Sequence, residues 1–515
     1  MRRRMPVLHP FLYGLLPVLT LLTGNIQAVR PAVAIRPAVI CSLLAGAMMA
    51  LLRIRVREER RAALICSAGL LVFFSYGHVY QSLPGAVPGE PDGLRHALLL
   101  LGFGIALGAW AWLLARRPTI IPAASTFFTV TGLALLAMSV LGIANYEAQR
   151  TRPWLPAPAA SAQHPPARGD WMPDVYYIIL DGYGRQDILE RLYGVDNSAF
   201  LDGLRDLGFR VADQARSNYA QTSLSLASSL NMAYLDSIAQ QMGEGTRDQG
   251  PIERLIRLNE VSRQFRELGY LEVAFSTGYR RTELDNASLF LRVPQRASTG
   301  FEGLLVDTST ILAIEDGTRL LGWPFPWPGY HAHRDQIRFT LNSLEEVASM
   351  PGPKFVFAHI IAPHPPFVFD RVGNPVTPSL PFRLQEGSEF LGTREEYIRG
   401  YSDQLTFIGG EILRVVGEIL DRSSDAPIII LQADHGPGSR TNWRVPEESD
   451  FEERLSILNA YYLPGGGEAP VYASISPVNT FRVVFNRYFG ADYELLPDES
   501  YFSSPTTPYQ FLRAP

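Results

Sequence analysis

The first 145 residues are a run of apolar blocks separated by short polar joints, a pattern that commits this part of the chain to helices in a bilayer. Lipid offers no partner for backbone N–H and C=O groups, so a crossing segment satisfies them internally, in a helix of about 20 apolar residues. Stretches at 8–29, 35–52, 62–83, 96–115 and 120–144 have this character, the second being short and beginning beside Arg36. Arg2, Arg3 and Arg4 before the first stretch, with Ile26-Gln27-Ala28 near its end, also suit a cleaved leader. Further apolar blocks follow with no soluble interruption, so a retained first span is expected, with about five helices over 1–149.

Basic residues beside short loops stay on the cytoplasmic side. Arg2 to Arg4, then Arg53, Arg55, Arg57, Arg60 and Arg61, then Arg116 and Arg117, alternate as five crossings require. The loop 84–95 is rich in Pro and Gly and carries Glu90 and Asp92, as an outer loop allows; Arg30 and Arg36 are the exceptions. The expectation is an N-terminus inside and a C-terminal domain outside. Of the few ionisable groups in the spans, His78 lies near the outer end of the third, at the interface. Residues 150–170 are Pro- and Ala-rich without apolar period and read as a semi-extended tether in which His164 is solvated.

Composition narrows the rest. The chain is 47% hydrophobic with a net charge of -5, and its basic clusters lie between apolar blocks, so no nucleic acid is expected. Cys41 and Cys66 fall within those blocks, which leaves residues 171–515 without a disulfide framework or a cysteine metal site.

That C-terminal part alternates short apolar runs, at 175–180, 354–361 and 427–432, with helical stretches such as 335–348 and 401–420. The alternation predicts an α/β domain with a largely parallel sheet, whose functional groups gather at the carboxyl ends of its strands. Asp181, His364 and the pair Asp434-His435 lie at or just past such ends. Two carboxylates and an imidazole suit a divalent cation, although an isolated Asp-Gly or His-Gly is more often a turn. In the segment 217–225, Thr222 stands before a helical stretch, where N–H groups and the dipole favour an attacking oxygen and an anion. A plain N-cap role for Thr222, with Ser223 or Ser225 competing, reads equally well from these residues alone.

An early strand ending in Asp181-Gly182, the Thr222-Ser223 helix entrance, Pro363-His364-Pro365-Pro366-Phe367 and Asp434-His435-Gly436 together resemble the alkaline-phosphatase and sulfatase superfamily. With the spans ahead of it, the arrangement is similar to the lipoteichoic acid synthases and phosphoethanolamine transferases, over about residues 174–464. The resemblance implies an α-helical transmembrane bundle followed by an alkaline-phosphatase-like α/β domain with a largely parallel sheet. It implies one divalent metal ion, zinc or manganese favoured over calcium or magnesium, held by Asp181, Thr222, Asp434 and His435. Gln221-Thr222 resembles the nucleophile segment of those synthases, and Asp181 takes the place of an acidic ligand that is Glu in them and Asp in many other members. His364 resembles a histidine that contacts the substrate head group. Thr222 and His364 are thus the expected catalytic residues, and the substrate a membrane phospholipid or another phosphate or sulfate ester. The cell place implied is a bacterial inner membrane, multi-pass, with the catalytic domain periplasmic or extracellular.

Some features depart from the pattern or stay outside it. No further carboxylate cluster marks a second metal. Ser379-Leu380-Pro381-Phe382-Arg383 matches the sulfatase nucleophile string but comes too late in the chain, and is read as chance. His359 reads as a core or supporting residue of its strand, and His331 and His333 as surface loop. Arg440 and Arg454 are each able to hold a phosphate bidentately but are left outside the catalytic set, and Asn218 and Tyr183 have no independent support. The expected reaction moves a phosphoryl-linked head group from a membrane phospholipid to an envelope lipid or glycan through a Thr-linked intermediate. An ester hydrolase is the alternative, and a non-catalytic membrane scaffold the alternative of another class.

Overall fold

The N-terminal apolar stretches form five helices: α1 (His9–Asn25), α2 (Ile35–Arg55), α3 (Glu59–Ser82), α4 (Gly93–Arg116) and α5 (Ile121–Arg150). The computed structural model describes residues 7–83, 93–152, 162–169, 171–294, 299–320, 328–376, 390, 392–465 and 471–515. The Ser379 to Arg383 string lies outside these residues. Helices α2 to α5, with the short turns leading into α2 and α5, are long and apolar enough to cross a membrane. The remaining one, α1, stops at 17 residues, so the expected five spans stand at four by length and composition. Leu98, Ile105, Trp112, Phe127 and Met138 on α4 and α5 are exposed, a cost in water that vanishes in hydrocarbon. His78 is exposed on α3.

The described residues divide into two units. A single outer domain over 171–515 does not describe the division, because helices Gly300–Asp307 and Ile311–Leu320 pack in the first unit. The packing has a specific basis. Gly77 of α3 donates its N–H to the Thr308 carbonyl at 2.9 Å, and a Cβ at Gly77 would lie 1.9 Å from the Asp307 carbonyl oxygen. Any larger residue there would push the turn off α3. Beside it, His96 of α4 is buried, with Nδ1 2.7 Å from the Tyr76 hydroxyl and Nε2 2.8 Å from Asp316 Oδ2. The sequence reading singled out His78 and passed over this histidine, whose partner acid lies 220 residues away.

The second unit is built on a sheet of seven strands: β1 (Val175–Leu180), β2 (Arg210–Val211), β3 (Leu271–Phe275), β4 (Leu289–Leu291), β5 (Lys354–Ile360), β6 (Ile428–Gln432) and β7 (Asn459–Tyr462). Their order is β2-β7-β6-β1-β5-β3-β4, and β7 alone runs against its neighbours. β1, β5 and β6 are wholly buried, which explains why they read as unbroken apolar runs. β1 lies between β5 and β6 in parallel register, with Ile179 opposite both His359 and Gln432. The segments leaving the three central strands therefore emerge side by side. A hairpin of β8 (Tyr501–Ser504) and β9 (Thr507–Arg513) completes the described chain.

Candidate metal and nucleophile site

Asp181 directly follows β1, His364 follows β5 by four residues, and Asp434 and His435 follow β6. Backbone bonds lock these exits together: Asp181 N–H donates to the Ile360 carbonyl and His364 N–H to that of Asp181, both at 3.0 Å. Gly182 holds φ of 76°, where a side chain is strained, and its N–H donates to Asp434 Oδ1 at 3.1 Å. Gly436 is needed for another reason, since a Cβ there would meet the Glu453 carbonyl oxygen at 2.1 Å.

Thr222 is the first residue of the helix Thr222–Asn231 and is half-buried. Gln221 holds the cap position without a side-chain bond, so capping does not occupy the Thr222 hydroxyl. Its Oγ1 instead lies 3.0 Å from His435 Nε2. Which nitrogen of His435 carries the proton follows from its neighbours. Nδ1 faces the Gly436 carbonyl at 2.9 Å, and a carbonyl only accepts, so the proton sits on Nδ1 and Nε2 presents its lone pair. The same logic applies to His364, whose Nδ1 faces the Pro365 carbonyl at 2.6 Å. Burial, with the charge of Arg454 nearby, holds His435 well below the usual imidazole range, and burial also lowers His364.

Acceptors thus converge. Asp434 Oδ2 is 3.2 Å and Asp181 Oδ1 3.5 Å from His435 Nε2, yet neither oxygen has a hydrogen-bond partner, and both carboxylates are buried. For Asp434, burial and then the charge of Asp181 push the acid up to about 7. Burial acts on Asp181 in the same sense, but His364, His359 and His435 outweigh it and hold that acid below the usual range. Orphaned carboxylate oxygens against an imidazole lone pair are unfavourable unless a cation joins them. Ligand atoms of Asp181, His364 and His435 lie within 4.8 Å of one another, as do those of Asp181, His359 and Asp434. These residues fit a divalent cation that takes both oxygen and nitrogen.

All the site residues expected from sequence, Asp181, Thr222, His364, Asp434 and His435, therefore meet in one place. Others join them that sequence left aside. His359 is buried on β5, its Nε2 3.2 Å from Asp181 Oδ2 and its Nδ1 2.9 Å from Thr282 Oγ1. A histidine in an otherwise apolar strand was the available signal. His333 lies on the helix Pro328–Ala348, not in a loop; burial and the neighbouring His364 lower it to about 4. Asn218 turns away to Tyr234, Ser476 and the Glu499 carbonyl, and the Tyr183 hydroxyl to Asn197. His164 is exposed and pairs with Asp492 at 2.7 Å.

No protein-family model and no curated protein matches this chain. Among solved structures, the zinc complex of the C-terminal periplasmic domain of EcEptC from Escherichia coli is similar at a TM-score of 0.41 and 10% identity, covering 69% of this chain and 96% of that one. The C-terminal periplasmic domain of phosphoethanolamine transferase EptC from Campylobacter jejuni follows at 0.37 and 10%, covering 64% and 92%. A putative sulfatase from Bacteroides thetaiotaomicron reaches 0.41 and 15%, covering 65% and 74%. At such TM-scores the likeness carries no chemistry, which rests on the side chains described above.

Proposed function

We propose that this chain transfers a phosphoryl-linked head group from a membrane phospholipid to an envelope lipid or glycan, through an intermediate on Thr222. The observation that carries this reading is the Thr222 hydroxyl, 3.0 Å from the bare Nε2 of His435 at a helix start, beside two buried carboxylate oxygens without partners. Asp181, Asp434 and His435 would hold the divalent ion, with His364 in ligand range, and the ion would favour the alkoxide and neutralise charge on the transferring group.

The residues of the chain supply the rest. Thr222 Oγ1 bonds to phosphorus, and the bond from phosphorus to the first lipid alcohol breaks. The proton leaving Thr222 balances the one gained by that alcohol, and the bare Nε2 of His364 is the basic atom able to carry it. The helix Thr222–Asn231 directs its first N–H groups at the phosphoryl oxygens. A second alcohol then attacks phosphorus and restores Thr222. The apolar N-terminal helices keep the site at the membrane, where lipid head groups are concentrated. Arginines at the joints of those helices support an inner-membrane placement with the α/β unit outside.

The test is turnover of labelled phospholipids by detergent-solubilised protein with zinc or manganese, against Thr222→Ala. Thr222-dependent release of a lipid alcohol, with the head group recovered on an acceptor, is expected. Head-group phosphate freed into water would replace the transferase with a hydrolase. Equal turnover by the wild type and Thr222→Ala would sink the proposal.

A further inference from the structure

Arg440 and Arg454 both follow the Asp434-His435 pair, and their environments separate them. Arg440 is well exposed and faces Asp450 at 3.5 Å. Arg454, in the short helix Phe451–Leu455, is 4% exposed. Its Nε donates to the Ala220 carbonyl at 2.9 Å and its Nη1 to the Gly436 carbonyl at 3.2 Å, and its guanidinium carbon lies 5.1 Å from the Trp443 ring centroid. All three partners are neutral. The adjacent acid, Glu453, is engaged elsewhere, by Tyr193, by Ser439 and by the Arg440 N–H. Among the described residues no carboxylate forms an ion pair with Arg454.

The charges of Asp434, Asp181 and Glu453 reach the guanidinium, but none of these carboxylates bonds to it, and a buried cation whose direct partners are all neutral is suited to receive an anion. The place is telling. Ala220 lies two residues before Thr222, and Gly436 directly follows His435, so the guanidinium spans the loops bearing the nucleophile and the candidate ligand. Its charge reaches both His364 and His435. Two of its five N–H groups go to the carbonyls, which leaves others for a guest.

We infer that Arg454 is the anion-recognition residue of this site, holding oxygens of the phosphoryl group presented to Thr222. This deepens the phosphoryl-transfer reading and rests on it. Once the anion is seated, the buried guanidinium gains a counter-charge in direct hydrogen-bond contact.

The full chain in detergent, loaded with manganese, is titrated with inorganic phosphate and read by calorimetry and by the shift in melting temperature. Wild type is expected to show phosphate binding. Arg454→Gln should weaken it by about tenfold or more, the range for a charged hydrogen bond, with Arg454→Lys between. If Arg454→Gln does not fold, Arg454→Lys, which keeps the charge and loses the fork, should raise KM for the lipid more than it lowers kcat. Unchanged phosphate affinity in both variants, with a lowered melting temperature, would make Arg454 a tie between loops and overturn the inference; so would wild type that binds no phosphate. Lipid turnover on the same samples separates the two readings. Turnover that depends on Thr222 beside unchanged phosphate affinity in the Arg454 variants removes only the inference, whereas turnover independent of Thr222 removes the transferase reading.

Discussion

Thr282 Oγ1 lies 2.9 Å from Nδ1 of His359, and the opposite nitrogen of that ring lies 3.2 Å from Asp181 Oδ2. Asp181 only accepts, so the ring proton sits on Nε2 and Nδ1 presents its lone pair, which takes the Thr282 hydroxyl proton at 2.9 Å, nearer than the Tyr279 carbonyl at 3.2 Å. The ring is thereby fixed in orientation, and Asp181 is held on one oxygen while the other faces His435. Thr282→Val, which keeps the shape and removes the bond, should lower metal affinity by about tenfold or more, as the loss of an outer partner does. Competition with a chelator measures this. Unaltered affinity, with the fold intact by circular dichroism, would reduce Thr282 to a packing residue.

The pair Asp181 and Asp434 makes the metal-free protein sensitive to pH. Burial and Asp181 raise Asp434 to about 7, above its value in the unfolded chain. Its contribution to stability is therefore complete below the unfolded value, about 4, and is lost as pH rises to about 7. Asp181 is shifted the other way, so its contribution is lost only in more acid solution, outside this window. With a chelator present, the melting temperature should fall between pH 5 and pH 7. Added zinc or manganese should flatten that slope and stabilise more at pH 7 than at pH 5. A slope that is the same with and without metal would count against these carboxylates as ligands.

Gln221 precedes the nucleophile and donates from Nε2 to both the carbonyl and the hydroxyl oxygen of Ser503, at 2.8 and 2.7 Å. The backbone adds Ala220 N–H to the Tyr501 carbonyl at 3.1 Å and Tyr501 N–H to the Asn218 carbonyl at 2.8 Å. The C-terminal hairpin thus sets the loop that carries Thr222. Gln221→Ala should cost about 1–3 kcal/mol by leaving buried groups at Ser503 unpaired. A loosened nucleophile should also lower kcat by about tenfold or more with little change in KM. Stability lost without any fall in kcat would show that the hairpin only stabilises.

In the first unit, Asp316→Ala would strip His96 of one partner in a buried setting, at a cost of about 1–3 kcal/mol. Asp316→Asn keeps an acceptor and should cost less. Thermal unfolding in detergent distinguishes them, and equal melting temperatures for Asp316→Ala and wild type would show that the bond adds nothing.

Much of the α/β unit was legible because its central strands are buried on both faces. β1 was expected at 175–180 and lies there, and β5 and β6 differ from expectation by one residue at an end. Asp181, His364, Asp434 and His435 could be picked out because each follows such a run. β2, with two residues, and β7, which runs against the sheet, carry no comparable signal. The bonds from Thr282 to His359 and from Gln221 to Ser503 link residues 77 and 282 positions apart, and no local pattern announces a partner at that distance. Helices Gly300–Asp307 and Ile311–Leu320 were missed for a different reason. They are too short to read as spans, and what draws them to the first unit is a gap at Gly77 and a polar partner at His96.

That excursion changes what it would take to part the two units. The chain passes from one to the other not only near residue 150 but again near 296 and 333. A protease that cut between 150 and 170 would sever one thread and leave the others whole. A single cut there would therefore not release the α/β unit as a soluble enzyme.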